Sequence, residues 1–231
     1  MRNLILLFLL SVVSATAQQG EKRNPYQLEI VDNPVEFHQM AAHDSKMIMI
    51  DLQAYIPTLV LDIRYATTNN FTGEIIYPQA FAFARQPVAE ALLNIQKDLA
   101  EKGLGLKIFD AYRPYAATLR FYEVYPDTNF VASPWHGSRH NRGAAVDVTL
   151  INLETGKALE MPTAFDDFTE KAAPDYQDLP ERVKQNRSLL IETMEKNGFS
   201  VYQSEWWHFD FHGWEQFPLM NLSFDELRSQ Y

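Results

Sequence analysis

The most constraining stretch of this chain is residues 144–151, Ala-Ala-Val-Asp-Val-Thr-Leu-Ile. Its apolar character marks a strand inside a core, and its one carboxylate, Asp147, is out of place there. An unpaired buried charge is costly. Asp147 therefore needs a metal ion, an arginine partner, or a wet face on an edge strand, and the fold must bring one of these to it. His140 lies just upstream in Ser138-Arg139-His140-Asn141-Arg142-Gly143. An imidazole and a carboxylate together are ordinary zinc ligands.

Composition narrows the chemistry further. The 231 residues contain no cysteine, which excludes disulfides, thiolate-ligated metals and any thiol nucleophile. With 46% apolar and 22% charged residues, the chain has the makings of one sizeable core rather than of disorder. Its formal net charge is -10, and no basic run interrupts it. Nucleic acid and an anionic membrane surface are thus poor partners.

The first residues read as a signal peptide. Arg2 supplies the positive start, Leu4 to Val13 the apolar stretch, and Ala15-Thr16-Ala17 the small-residue cleavage signal. Cleavage after Ala17 leaves 18–231 as a single catalytic domain, periplasmic or secreted. No later segment has the roughly twenty apolar residues of a membrane span, and no cysteine is present for lipid attachment. No stable membrane anchor is expected.

Along the rest of the chain, Leu59 to Tyr65 reads as a strand. Pro87 opens an amphipathic helix with Val88, Leu92, Ile95 and Leu99 on one face, ended by Gly103. A strand follows at Leu106 to Asp110, then a helix begun at Pro114. The aperiodic stretch from Pro126 to Arg142 leads into the strand around Asp147. A helix over Glu181 to Asn197, paired strands at Phe199–Tyr202 and Trp206–Phe211, and a Ser223/Glu226 capping box complete the pattern. Strands and helices mix without regular βαβ spacing. The expected fold is α+β, one domain with a small, mainly antiparallel central sheet flanked by helices.

Six histidines occur, and four fall in two tight groups. The second group is Glu205-Trp206-Trp207-His208-Phe209-Asp210-Phe211-His212. In a regular strand Trp207, Phe209 and Phe211 face one way, and His208 and Asp210 the other. Glu205 has the wrong parity to join His208 unless a turn or bulge intervenes just before Trp206. Zinc held by His140, Asp147 and His208 leaves a fourth position for water, with Glu205 available to move its proton. Spacing does not single out that set. His136/His140 and His208/His212 are each four apart and could ligate a metal on a helix, yet neither forms the HExxH pattern.

Ser138-Arg139-His140-Asn141-Arg142-Gly143-Ala144-Ala145-Val146-Asp147 resembles the SxHxxGxAxD zinc motif of the M15 peptidases, and Glu205-Trp206-Trp207-His208 resembles their ExxH motif. Asp62-Ile63-Arg64-Tyr65-Ala66-Thr67, Asn70-Phe71-Thr72-Gly73 and Asp110-Ala111-Tyr112-Arg113-Pro114 are similar to segments of the VanX-type D-alanyl-D-alanine dipeptidases. The resemblance runs from about Leu52 to Pro218 and implies a Hedgehog/DD-peptidase-like fold. It further implies one Zn2+ per chain on His140, Asp147 and His208, with Glu205 as general base and then acid. Arg113 is implied to stabilise the oxyanion. Asp166, with help from Asp110, is the implied anchor for a dipeptide's ammonium, and Ser138 a donor to its carboxylate. The substrate implied is a short D,D-dipeptide. Met161-Pro162-Thr163-Ala164-Phe165-Asp166 departs from the family's M-G-T-P-F-D form, which puts the placement of Asp166 in question.

Two other readings stand beside the dipeptidase. One is a peptidoglycan D,D-carboxypeptidase or endopeptidase of the same zinc family; the other is a non-catalytic zinc-binding wall-interaction domain. Export favours turnover or salvage of dipeptides outside the cytoplasm over glycopeptide resistance.

Overall fold

The structure, a computed structural model, describes residues 24–229; the signal-peptide reading of residues 1–17 lies outside the described residues. Nine strands are present among the described residues. They are β1 (Ile30–Val31), β2 (Met49–Asp51), β3 (Val60–Leu61), β4 (Phe83–Arg85), β5 (Leu104–Asp110), β6 (Ala145–Asn152), β7 (Phe199–Tyr202), β8 (Glu205–Phe211) and β9 (Leu219–Met220). Five of them form the central sheet in the order β3-β5-β6-β8-β7. The pairs β5–β6, β6–β8 and β7–β8 are antiparallel, and β3–β5 is parallel. The fold is therefore α+β with a mixed sheet. Two-stranded pairs, β1 with β9 and β2 with β4, stand beside it.

The expected helices form where the apolar spacing puts them. Gln86–Ala100 carries Pro87 in its first turn and buries Val88, Leu92, Ile95 and Leu99 against β5. Glu181–Lys196 packs against β7 and against Gln86–Ala100, burying Val183, Leu190 and Met194. Tyr115–Val124 begins directly after Pro114, and Ser223 with Glu226 makes a complete capping box for Phe224–Arg228.

The strand expected over Leu59 to Tyr65 is cut short. Only Val60–Leu61 pairs, and Arg64–Ala66 turns as a 3-10 helix. The Tyr65 carbonyl accepts from the backbone N–H groups of both Ile76 and Tyr77, so a folded-back loop uses the group that a strand neighbour would need.

The centre of the sheet belongs to β6. Asp147 sits there between Asp110 of β5 and His208 of β8, and only 2% of its surface is exposed. A wet edge strand is thereby excluded. The chain enters β6 through Gly143, at φ 68°, which closes the 3-10 turn His140–Arg142. A Cβ at that glycine would come within 2.7 Å of the Met49 side chain. Backbone of that hand, pressed against a neighbour, calls for glycine.

Candidate metal centre and its cleft

Three side chains from two strands and one turn converge on a single point. His140 comes from the turn before β6, Asp147 from β6 and His208 from β8. Each offers a ligand atom within 4.8 Å of the other two, and all three residues are buried. His140 Nε2 lies 3.1 Å from His208 Nδ1. Asp147 Oδ1 is 3.3 Å from the former nitrogen and 3.1 Å from the latter.

The outer faces of the two imidazoles fix which nitrogens point inward. His140 Nδ1 is 2.7 Å from the Ala111 carbonyl, which can only accept, so that nitrogen carries the hydrogen. His208 Nε2 is 3.0 Å from Asp210 Oδ1 and donates to it. Two imidazole lone pairs then face each other across the site, and repel unless a proton or a cation stands between them. Asp147 Oδ1 is buried there without a hydrogen bond of its own. Two neutral nitrogens, one carboxylate oxygen and outer partners that orient the rings form a donor set suited to zinc.

The charges respond to this crowding. Burial disfavours the Asp147 carboxylate, yet the two imidazoles hold it well below the usual range. Burial also opposes a charged His208, but Asp147 and Asp210 lift it to about 10. Glu205 is pushed up to about 7, chiefly by burial.

Glu205 reaches the site through a break in strand pairing. Val201 pairs with Phe209, but the next residue, Tyr202, pairs with Glu205, so the segment between bulges. Glu205 Oε2 ends 3.8 Å from His208 Nδ1, which regular alternation would have prevented. Trp206 and Trp207 are both buried. Trp206 Nε1 donates to Thr163 Oγ1 at 3.0 Å and ties β8 to the loop before Asp166.

Arg113 approaches from the opposite strand end. Its Nε and Nη2 donate to Asp110 Oδ2 at 2.9 and 2.8 Å, and Nη2 lies 3.8 Å from Asp147 Oδ2. The guanidinium rests over the Phe121 and Tyr65 rings at 4.7 and 5.4 Å. Asp110 also accepts from the Tyr77 hydroxyl at 3.0 Å. Its carboxylate thus stands behind Arg113 and is not among the residues lining the cleft.

The cleft itself contains Ser138, Arg113, Asp166, Glu205 and the cluster His140, Asp147 and His208. Asp166 has φ 61°, in the left-handed region that aspartate tolerates better than most residues. The Tyr65 hydroxyl donates to its Oδ1 at 3.0 Å, while Oδ2 is buried without a partner. Burial, followed by the Asp147 charge, raises its carboxyl well above the usual range. Pro162 does not keep Asp166 out of the cleft. Phe71, Phe121, Phe130 and Phe168 supply an apolar wall.

Three participants were absent from the sequence-derived set. Asp210 was legible in principle, because it shares a strand face with His208. Tyr65 and Asn141 were not. Asn141 is fully buried, accepts from the Ser138 N–H at 2.7 Å and donates to the Arg113 carbonyl at 2.9 Å, so it ties those two residues together. The other histidines stay apart: His38, His43, His136 and His212 are exposed, and His212 pairs with Ser200. Neither four-apart histidine pair acts as a unit.

The peptidase M15 profile, described as D-ala-D-ala dipeptidase, matches residues 45–221. A D-alanyl-D-alanine dipeptidase of Escherichia coli is 35% identical over 172 residues, covering 74% of this chain and 89% of that protein. One from Enterococcus faecium is 32% identical over 168 residues, covering 64% and 83%. The solved LD-carboxypeptidase LdcB overlaps 58% of this chain and 61% of its own, at 18% identity and a TM-score of 0.38.

Proposed function

The chain belongs to the M15 peptidase family of D-Ala-D-Ala dipeptidases, and from that membership we propose that it cleaves free D-alanyl-D-alanine and similar short D,D-dipeptides into amino acids. The observation that carries this reading is the meeting, in one buried cleft, of the His140–Asp147–His208 cluster with Glu205, Arg113 and Asp166.

Zinc held by His140 Nε2, Asp147 and His208 Nδ1 would supply Lewis acidity, polarising the scissile carbonyl and making water more acidic. Glu205 accepts a proton from the attacking water and delivers it to the leaving amine as the C–N bond breaks. One water is consumed, and the products are a carboxylate and an ammonium. A carboxyl group whose pKa lies near 7 is suited to both transfers. Arg113, held rigid by Asp110, donates to the carbonyl oxygen as negative charge develops on it. Asp110 acts through Arg113.

Asp166 is the anchor for the substrate ammonium. Its unpartnered Oδ2 is an acceptor already buried in the cleft, and the Tyr65 hydroxyl holds the other oxygen in place. Ser138 donates to the substrate carboxylate. The free space in the cleft is about 80 Å³, several times the roughly 10–15 Å³ that a single water needs. That is room for a small molecule. Residues 1–17 support export, and with it turnover or salvage of dipeptides outside the cytoplasm.

The test is D-alanine release by zinc-loaded protein from D-Ala-D-Ala, L-Ala-D-Ala, N-acetyl-D-Ala-D-Ala and a wall tripeptide. Release from the free D,D-dipeptide alone is expected. Equal cleavage of the acetylated peptide would refute the ammonium anchor and favour a carboxypeptidase.

A further inference from the structure

A second groove opens from the cleft on the side away from Asp166. The two share Ala132, Ser138, Arg139 and Tyr202, while neither Asp166 nor Glu205 lines the groove. Its remaining lining includes Arg142, His136 and Trp214, and no aspartate or glutamate is among the residues that line it. The lining thus carries two arginines in a chain with 30 acidic and 20 basic residues, with Asp210 against Arg139 and Glu215 acting on Arg142 from outside it.

The two arginines converge on one ring. The Arg139 and Arg142 guanidinium carbons lie 4.9 and 5.3 Å from the Trp214 centroid. Arg139 Nε is buried without a hydrogen-bond partner; the nearest carboxylate oxygen, Asp210 Oδ2, stands 3.6 Å away. Arg142 gives Nη1 to the Phe217 carbonyl, and its other nitrogens make no hydrogen bond among the described residues. Two like charges against one aromatic ring, with donor nitrogens of Arg142 to spare, form a receptor for an anion.

The direction of the groove decides which anion. This step rests on the function proposed above, in which the substrate ammonium lies at Asp166. The carboxyl-terminal residue then points toward Ser138 and Arg139, at the mouth of the groove. Ser138 meets the main-chain carboxylate, and Arg142 and Trp214 lie beyond it. We propose that the groove receives a second carboxylate, carried on the side chain of the carboxyl-terminal residue, so that dipeptides ending in an acidic residue are substrates. The reaction is unchanged: water adds across the amide, releasing D-alanine and the acidic amino acid.

The test compares D-Ala-D-Glu with its neutral isostere D-Ala-D-Gln, using D-Ala-D-Ala as reference. In the zinc-loaded enzyme, kcat/KM for the glutamate peptide is expected to exceed that for the glutamine peptide about tenfold. Raising salt should shrink the ratio, since exposed charges are screened. Arg142→Gln and, separately, Trp214→Leu should bring the ratio close to one. A wild-type ratio of one or below overturns the proposal, as does equal cleavage of D-Ala-D-Gln and D-Ala-D-Glu at all salt concentrations. Failure to cleave D-Ala-D-Ala would instead strike at the proposed function. The groove would then be judged by calorimetric binding of the two peptides to zinc-loaded Glu205→Gln protein, where equal affinity overturns it.

Discussion

Asp210 Oδ1 accepts the Nε2 hydrogen of His208 at 3.0 Å and so turns Nδ1 of that ring toward His140 and Asp147. A candidate ligand two residues from its own orienting group on one strand face is a compact way to fix a tautomer. Removing the partner should loosen the ligand without deleting it. For Asp210→Ala, zinc affinity is expected to fall about 10–100-fold, read by competition with a chromogenic chelator. Asp210→Asn, which keeps an acceptor oxygen, should lose less.

Glu205 lies beside the ligands without belonging to the cluster. Glu205→Gln is therefore expected to bind one zinc per chain with near-normal affinity while kcat falls on the order of 100-fold or more, the usual scale for a lost general base. Metal analysis and steady-state turnover on the same preparation check it. Loss of the metal together with activity would argue instead for a ligand role.

Asp166 should decide between free and blocked peptides. Asp166→Asn removes the carboxyl group that a bound ammonium would hold ionised but keeps the size, and the D-Ala-D-Ala KM should rise roughly 10-fold or more, since hydrogen bonds to charged groups contribute about 1.5–3 kcal/mol. The preference for D-Ala-D-Ala over its N-acetyl form should shrink with it. Unchanged discrimination would remove Asp166 from substrate binding.

Protons and metal compete for His208. Its folded pKa of about 10 lies above the ordinary histidine value of 6.5, because Asp147 and Asp210 outweigh burial. A raised pKa adds stability that is complete below 6.5 and is lost as pH climbs through about 10. Glu205, raised from 4.5 to about 7 by burial, acts in the same direction over a lower window. Chelator-treated protein should therefore lose Tm as pH rises from about 5 to 10. Zinc-loaded protein should not follow, because the metal replaces the proton. Zinc binding at pH 8 should release protons, measurable by calorimetry in buffers of different ionisation enthalpy.

Much of the fold was legible because its signals are local. Pro87, the spacing from Val88 to Leu99, and the Ser223/Glu226 pair act within a few residues, and their elements form as expected. Asp147 was informative for a different reason: a carboxylate in an apolar run demands a partner, and the partners are two imidazoles, one from the turn before β6 and one from β8. What escaped depends on distant chain. The strand expected through Tyr65 stops because Ile76 and Tyr77 claim its carbonyl. The parallel β3–β5 pairing has no mark in either segment. Asn141 reads as an ordinary loop residue until Ser138 and Arg113 are seen on its two sides. Glu205 shows the limit most clearly, since strand parity separated it from His208 and only the bulge against β7 reunites them.

The cleft is proposed to hold one zinc and to use it to cleave a free D,D-dipeptide. The most direct measurement titrates zinc into chelator-stripped protein while following D-alanine release from D-Ala-D-Ala. Turnover rising in proportion to added metal and levelling off at one zinc per chain, with His140→Ala and His208→Ala unresponsive, is the predicted result. Full turnover before zinc is added, or none at one zinc per chain, would contradict the account.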